Sequence, residues 1–358
     1  MMRPHNFCAG PAALPEPVLA RAREELLDWG GRGVSVMEVS HRSPEYLAVV
    51  AEAEACLRRL LGLGEEFAVI FTQGGAALQF AAVPLNLGGD SARYDYLNSG
   101  HWSARAMAEA GRYGAVREVA ASGGEPRAIP DPGSWELDPQ AAYLHVTPNE
   151  TIDGLEFEAL PPLPLPVVAD MSSTLLSRPL PLSQYDMIYA GAQKNIGPAG
   201  LTLLIVRREL FGRQRPECPS LLDWQLLDEA GSMRNTPPTF AIYLAGLVFA
   251  WIEAQGGLTA MAVRNRRKAE TLYAAIDGSD FYRNPVAPPW RSWMNVPFTL
   301  ADPALDAAFL EAAAARGLLN LRGHRAVGGM RASLYNAIGQ EAVDALVEFM
   351  QDFERTRA

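Results

Sequence analysis

Only two of the 31 basic residues in this 358-residue sequence are lysine, so chemistry that needs a primary amine has two candidates, Lys194 and Lys268. Lys194 lies in Gly191-Ala-Gln-Lys-Asn-Ile-Gly-Pro-Ala-Gly200, between the apolar run Met187–Ala190 and another at Leu201–Val206. That pattern predicts a lysine projecting from the mouth of a sheet. Lys268 lies among like charges in Arg264-Asn-Arg-Arg-Lys-Ala-Glu270, where a solvated, structural lysine is expected. Asp170 closes the run Val167-Val-Ala-Asp, 24 residues before Lys194 (194 − 170). Parallel strands would bring this carboxylate and the amine to one sheet edge. A lysine able to form a Schiff base and a carboxylate able to keep a pyridine nitrogen protonated meet the needs of pyridoxal phosphate. Thr72-Gln-Gly-Gly-Ala-Ala77 supplies a glycine turn and then a helix start, whose free N–H groups and dipole favour a phosphate. Trp102, in Asn98-Ser-Gly-His-Trp102, could stack on the ring. Each of these has an ordinary alternative when taken alone: a loop cap for Asp170, a core position for Trp102 and a common turn for the glycines.

The elements that would position them follow from periodicity. Short apolar runs at Phe67–Phe71, Tyr94–Leu97, Ala142–Val146, Val167–Asp170, Met187–Ala190 and Leu201–Val206 read as strands, separated by helices or long connections. Such alternation predicts a largely parallel α/β sheet covered on both faces, with ligands at the carboxyl ends of its strands. Residues 16–29 read as a helix with Leu19, Leu26 and Leu27 on one side, ended by Gly30-Gly-Arg-Gly33. Ser43 and Pro44 open a second amphipathic helix running to Leu61. The proline-rich stretches 125–139 and 160–166 read as surface connections. A helix over 239–255 leads through Gly256-Gly257 to a basic helix over 261–276. Strands near 293–300 and 329–334, with helices near 303–316 and 340–355, read as a smaller α+β unit.

Composition narrows the function classes. With 49% hydrophobic and 20% charged residues the chain is globular, and its length predicts more than one core. The net charge of -10 disfavours a nucleic-acid partner. The N-terminus has no signal-peptide core and no long apolar run is free of charge or proline, which predicts a cytoplasmic protein without membrane spans. Cys8, Cys56 and Cys218 are widely spaced and odd in number, so neither disulfides nor a metal site are expected.

Seven segments together resemble the phosphoserine aminotransferases, and the match runs in order along the chain. They are Phe7–Ala12, His41–Ser43, Thr72–Gly75, Ala169–Ser173, Gly191–Gly200, Arg234–Thr239 and Gly323–Ser333. The resemblance implies a fold-type-I transferase: a large cofactor domain (16–256) with a mainly parallel, seven-stranded type of sheet, and a small α+β domain (257–358) with residues 1–15 associated with it. It also implies a homodimer whose active sites are completed by the partner chain. Carried over by position, Lys194 looks like the Schiff-base lysine, Asp170 the partner of the ring nitrogen and Trp102 the stacking ring. Thr151 would bond the ring hydroxyl. Ala76, Ala77 and Gln193, with Asn235 and Thr236 from the other subunit, would hold the cofactor phosphate. Two departures stand out: position 77 is Ala where serine or arginine is common, and Thr147-Pro-Asn-Glu-Thr151 differs from the more usual Asn-Asn-Thr.

An aminotransferase must grip an α-carboxylate in both half-reactions, a task suited to a bidentate arginine. Arg331 matches the family's position. His324 and Arg325, joined by His41 and Arg42 of the partner chain, would hold the distal phosphate or carboxylate. The implied reaction passes the amino group of glutamate to 3-phosphohydroxypyruvate in serine biosynthesis, with a possible second activity on the 4-phosphohydroxythreonine pair of cofactor biosynthesis. The alternative is another small-substrate class-V enzyme, such as an alanine– or serine–glyoxylate aminotransferase.

Overall fold

The central sheet is built from strands that are nearly apolar throughout, because both of its faces are covered. In this computed structural model, which describes residues 3–89 and 92–357, the order across the sheet is Phe67–Gln73, Leu201–Arg207, Met187–Gly191, Val167–Asp170, Leu144–Val146, Arg93–Asn98 and Ala115–Ala121. All neighbours pair in parallel except Leu201–Arg207, which is antiparallel to both of its neighbours. The turn that carries Lys194 causes this exception: a connection without a crossover helix can return only as an antiparallel neighbour. Alternate residues of the strands feed two separate cores. Val69, Phe71, Ile188, Leu203 and Ile205 face one, while Ala68, Ile70, Met187, Leu204 and Val206 face the other. Complete burial of one such aliphatic side chain is worth about 1.5–3 kcal/mol, and because both faces are covered a slip of one residue would exchange the side chains of the two cores rather than expose them.

Ser43 caps the helix Pro44–Leu61 by accepting the Tyr46 N–H at 3.3 Å, and Gly62 ends it in the left-handed conformation (φ 70°). This helix packs on Thr239–Ala254, which bends by 83° into Gly257–Asp277. The bent helix serves two cores: Leu258 and Met261 join the sheet core, whereas Ala269, Leu272, Tyr273 and Ile276 join a third core. That third core lies under the antiparallel strands Tyr282–Arg283, Asn295–Leu300 and Met330–Ser333 and the helices Asp306–Ala315 and Gln340–Arg357. The N-terminal residues His5 and Asn6 pair in parallel with Leu318 and Leu319, and Phe7 is buried in the same core. Among the described residues no single helix is long and apolar enough to cross a membrane.

Two expectations need correction, and one strand was not expected. The first helix covers only Glu16–Glu24; Val18 and Ala22 are its buried residues, whereas Leu19, Leu26 and Leu27 are exposed. The apolar pattern there marks a surface, not a core stripe. The edge strand Ala115–Ala121 escaped notice because Arg117 and Glu118 interrupt it, as suits an edge. Lys268 is not solvated: it is buried, and its Nζ donates to the carbonyls of Leu334 (2.8 Å), Tyr335 (2.9 Å) and Ile338 (2.9 Å). Its structural role stands, as the tie between a helix and the segment following the Arg331 strand.

Candidate active site

The five parallel strands that end at Gln73, Asn98, Val146, Asp170 and Gly191 deliver their following residues to one edge of the sheet. Asp170 is buried, and its Oδ1 accepts from Ser172 N (3.0 Å) and Ser172 Oγ (2.6 Å). Ser172 Oγ also receives the Gly191 N–H at 3.1 Å, which ties the aspartate loop to the lysine loop. Lys194 is buried as well, and its Nζ donates to Thr151 Oγ1 at 2.6 Å. Burial lowers the Lys194 amine to about 8; Asp170 and Glu150 oppose the fall, and the positive charge of Arg331 adds to it. Burial raises the Asp170 carboxyl, against the pull of Lys194, Ser172 and the Tyr189 hydroxyl. Behind Asp170, Tyr189 also hydrogen-bonds the buried, neutral ring of His145 (2.8 Å), which burial lowers to about 3. The result is an amine near its titration point beside a fixed carboxylate.

Two helix N-termini face this edge, and they differ. Gly75–Leu87 has no side-chain cap and no acidic residue in its first turn, so its N–H groups at Ala76 and Ala77 are open to an anion. Gln193 lies against them: a Cβ on Gly191 would stand 2.6 Å from Gln193 Oε1 and 3.3 Å from Ala76 N, so only glycine leaves that space free. His101–Ala110 has its first turn closed by carboxylates, with Trp102 N and Ser103 N donating to Glu150 at 2.8 Å and His101 N to Asp153 at 3.0 Å. An anion therefore has one helix end to use.

Seven of the expected residues, Ala76, Ala77, Trp102, Thr151, Asp170, Gln193 and Lys194, line one cavity of about 160 Å³. Arg331 comes from the strand Met330–Ser333 and donates to the Thr151 carbonyl at 3.2 Å; it pairs with no carboxylate among the described residues. The His324 ring stands 5.4 Å from that of His101, which in turn stands 5.7 Å from Trp102. Burial lowers the pKa of His324, as do His101, Arg331 and Arg325, while Asp153 opposes them. Within the single chain His41, Arg42, Asn235 and Thr236 are not among the residues lining the cavity. Asn235 lines a separate groove, the Thr236 carbonyl accepts from Gln73 Nε2 at 3.1 Å, and His41 Nε2 is buried without a hydrogen-bond partner. Sequence reasoning missed Glu150, Ser172, His101 and the ion pair of Asp153 with Arg127. Ser172 was within reach of it, two residues past the aspartate; the others depend on contacts across more than 20 residues, which spacing does not reveal.

Known proteins share this arrangement over the whole chain. The model of the class-V aminotransferase family matches residues 5–346. A phosphoserine aminotransferase of Pseudomonas paraeruginosa is 57% identical over 358 residues, covering 99% of each chain. The chain belongs to the class-V aminotransferases, among the phosphoserine aminotransferases. Its structure agrees with two solved members of the family. The pyridoxal-phosphate-bound enzyme from Trichomonas vaginalis aligns with a TM-score of 0.94 and 43% identity over 98% of this chain and 100% of its own. The enzyme from Bacillus circulans subsp. alkalophilus aligns with a TM-score of 0.96 and 43% identity over 99% of each. The fold is accordingly that of the fold-type-I pyridoxal-phosphate transferases, with the mainly parallel seven-stranded sheet at its centre.

Proposed function

We propose that the chain transfers the amino group of glutamate to 3-phosphohydroxypyruvate, giving O-phospho-L-serine and 2-oxoglutarate, with pyridoxal phosphate as its cofactor. The carrying observation is the buried Lys194 amine, held 2.6 Å from Thr151 Oγ1 at a sheet edge shared with Asp170 and an unpaired arginine. The residues present fit the cofactor. The open N–H groups at Ala76 and Ala77, with Gln193, suit its phosphate; Asp170 suits its ring nitrogen and Trp102 its ring face. Thr147 and Asn149, which also line the cavity, each carry a buried side-chain oxygen without a hydrogen-bond partner. Bound pyridoxal phosphate supplies the carbonyl that takes up the amino group and the ring that accepts electrons from the substrate α-carbon.

The protein's part is positional and protonic. Lys194 Nζ, with its pKa lowered by burial, is the base that accepts and returns the substrate's α-proton. Thr151 aims that amine. Asp170, anchored by Ser172, would face the ring nitrogen. Arg331 offers the free N–H groups of its fork to the α-carboxylate shared by every reactant. Arg325 would supply a cation, and His324 a hydrogen-bonding ring, for the distal phosphate.

A homodimer belongs to the same proposal. Leu26, Leu27, Val34, Met37 and Leu47 are exposed apolar side chains flanking His41 and Arg42, a run that a lone chain would leave in water. A partner that covers them would bring His41, Arg42, Asn235 and Thr236 to the opposite cavity. The division of the chain at residues 15 and 256 is likewise proposed, as is a cytoplasmic location, which suits three free thiols.

The direct test is a visible spectrum of the cofactor-loaded protein during a glutamate titration. Glutamate should bleach the band of the lysine-bound cofactor, and 3-phosphohydroxypyruvate should restore it while pyruvate does so poorly. Equal restoration by pyruvate would refute the phosphorylated substrate and leave the cofactor reading in place.

A further inference from the structure

None of the expected roles includes Glu150, yet its carboxylate is held by several donors. Its side chain is fully buried. One carboxylate oxygen accepts from Trp102 N at 2.8 Å; the other accepts from Ser103 N (2.8 Å), Ser103 Oγ (2.8 Å) and, at 3.4 Å, Ser99 Oγ. Asp153, three residues on, takes the His101 N–H at 3.0 Å and pairs with Arg127. Ser103 Oγ receives the Gly100 N–H at 2.9 Å. Every N–H from Gly100 to Ser103 is thereby spoken for. The approach is close: a Cβ on Gly100 would lie 2.5 Å from Asp153 Oδ2 and 2.8 Å from Glu150 Cγ, so glycine is required where the loop meets the helix. Glu150 is also next in sequence to Thr151, whose hydroxyl aims Lys194, and it pairs with Leu155 in a short antiparallel ladder that stiffens the loop.

The geometry points to a positioning role: we propose that Glu150 clamps the first turn of the helix His101–Ala110 and so fixes the Trp102 indole as a rigid platform for the cofactor ring, in register with Thr151. The inference rests on the stacking role given to Trp102 under the proposed function. A carboxylate suits the task because it accepts from several N–H groups at once; burial raises its pKa to about 7, and the hydrogen bonds from Ser103 and Trp102 oppose that rise. An amide at position 150 would present an N–H to one of those donors and open that side of the clamp.

A double-mutant cycle on cofactor affinity tests this. The dissociation constant of pyridoxal phosphate is measured by equilibrium dialysis for the native protein, Glu150→Gln, Trp102→Ala and the double variant. The visible circular dichroism of the bound cofactor reports ring orientation. Glu150→Gln should weaken binding roughly tenfold and diminish the dichroic band, while adding less than about twofold on the Trp102→Ala background. Full additivity of the two substitutions, or an unchanged constant for Glu150→Gln, would overturn the positioning role alone. An unchanged constant for Trp102→Ala would overturn the stacking role and this inference with it. Should Glu150→Gln fail to fold, Ser103→Ala removes one partner of the clamp and runs the same cycle with an expected loss of about threefold.

Discussion

Replacing Arg331 by lysine probes the proposed site most sharply, because the charge survives and only the fork is lost. The guanidinium spends one N–H on the Thr151 carbonyl at 3.2 Å and has no carboxylate partner among the described residues. Its remaining N–H groups are free for two parallel bonds to a substrate carboxylate. A lysine ammonium makes one such bond. The loss is then one charge-assisted hydrogen bond, about 2 kcal/mol, or roughly thirtyfold in KM at 1.4 kcal/mol per decade. The α-carboxylate is present in glutamate and in the oxo acid alike, so both KM values should rise by similar factors in initial-rate measurements with each substrate varied in turn. Cofactor affinity should be unchanged, since Arg331 is not among the residues lining the cofactor cavity. A rise confined to one substrate would refute the argument, as would a fall in kcat with both KM values intact.

Three further outcomes follow from the geometry. The Lys194 amine, lowered to about 8 by burial, should react with an acylating reagent in the cofactor-free protein at a rate that climbs through pH 8 and then levels, because only the neutral amine reacts; peptide mass mapping separates it from Lys268 and the N-terminus, and a rate still climbing towards pH 10 would contradict the lowered value. Lys268→Met should destabilise the chain by about 3 kcal/mol in denaturant titration, since three buried carbonyls lose their donor at roughly 1 kcal/mol each; a loss below about 1 kcal/mol would mean that water replaces the ammonium. Arg42→Ala and Lys194→Ala chains, each impaired alone, should regain activity when co-assembled, near a quarter of native for random pairing of two shared sites; mixtures no better than their components would show that each chain completes its own site.

Much of this was legible in the sequence because the chemistry is local to strand ends. Lys194 and Asp170 could be set at one edge from the apolar runs that precede them, since parallel strands must align their carboxyl ends. The turn Gly74-Gly75 announced an uncapped helix N-terminus for the same reason. Leu19, Leu26 and Leu27 misled, because periodicity reports apolar spacing and cannot say whether a core or another surface lies opposite. The strand Ala115–Ala121 was missed because an edge strand carries charge where a central one carries valine.

The sequence by itself therefore set out the proposed reagents: Lys194 as the reactive lysine, Asp170 as its aspartate, the helix end after Gly74-Gly75 and Arg331 as the carboxylate arginine. Tertiary structure decided their state. Burial moves the Lys194 amine towards neutrality and raises the Asp170 carboxyl against the pull of Lys194, Ser172 and Tyr189, and Glu150 with Asp153 closes one helix end so that, among the described residues, the other is left to receive an anion. Those effects depend on desolvation and on contacts between distant segments, and neither quantity is written in the spacing of residues along a chain.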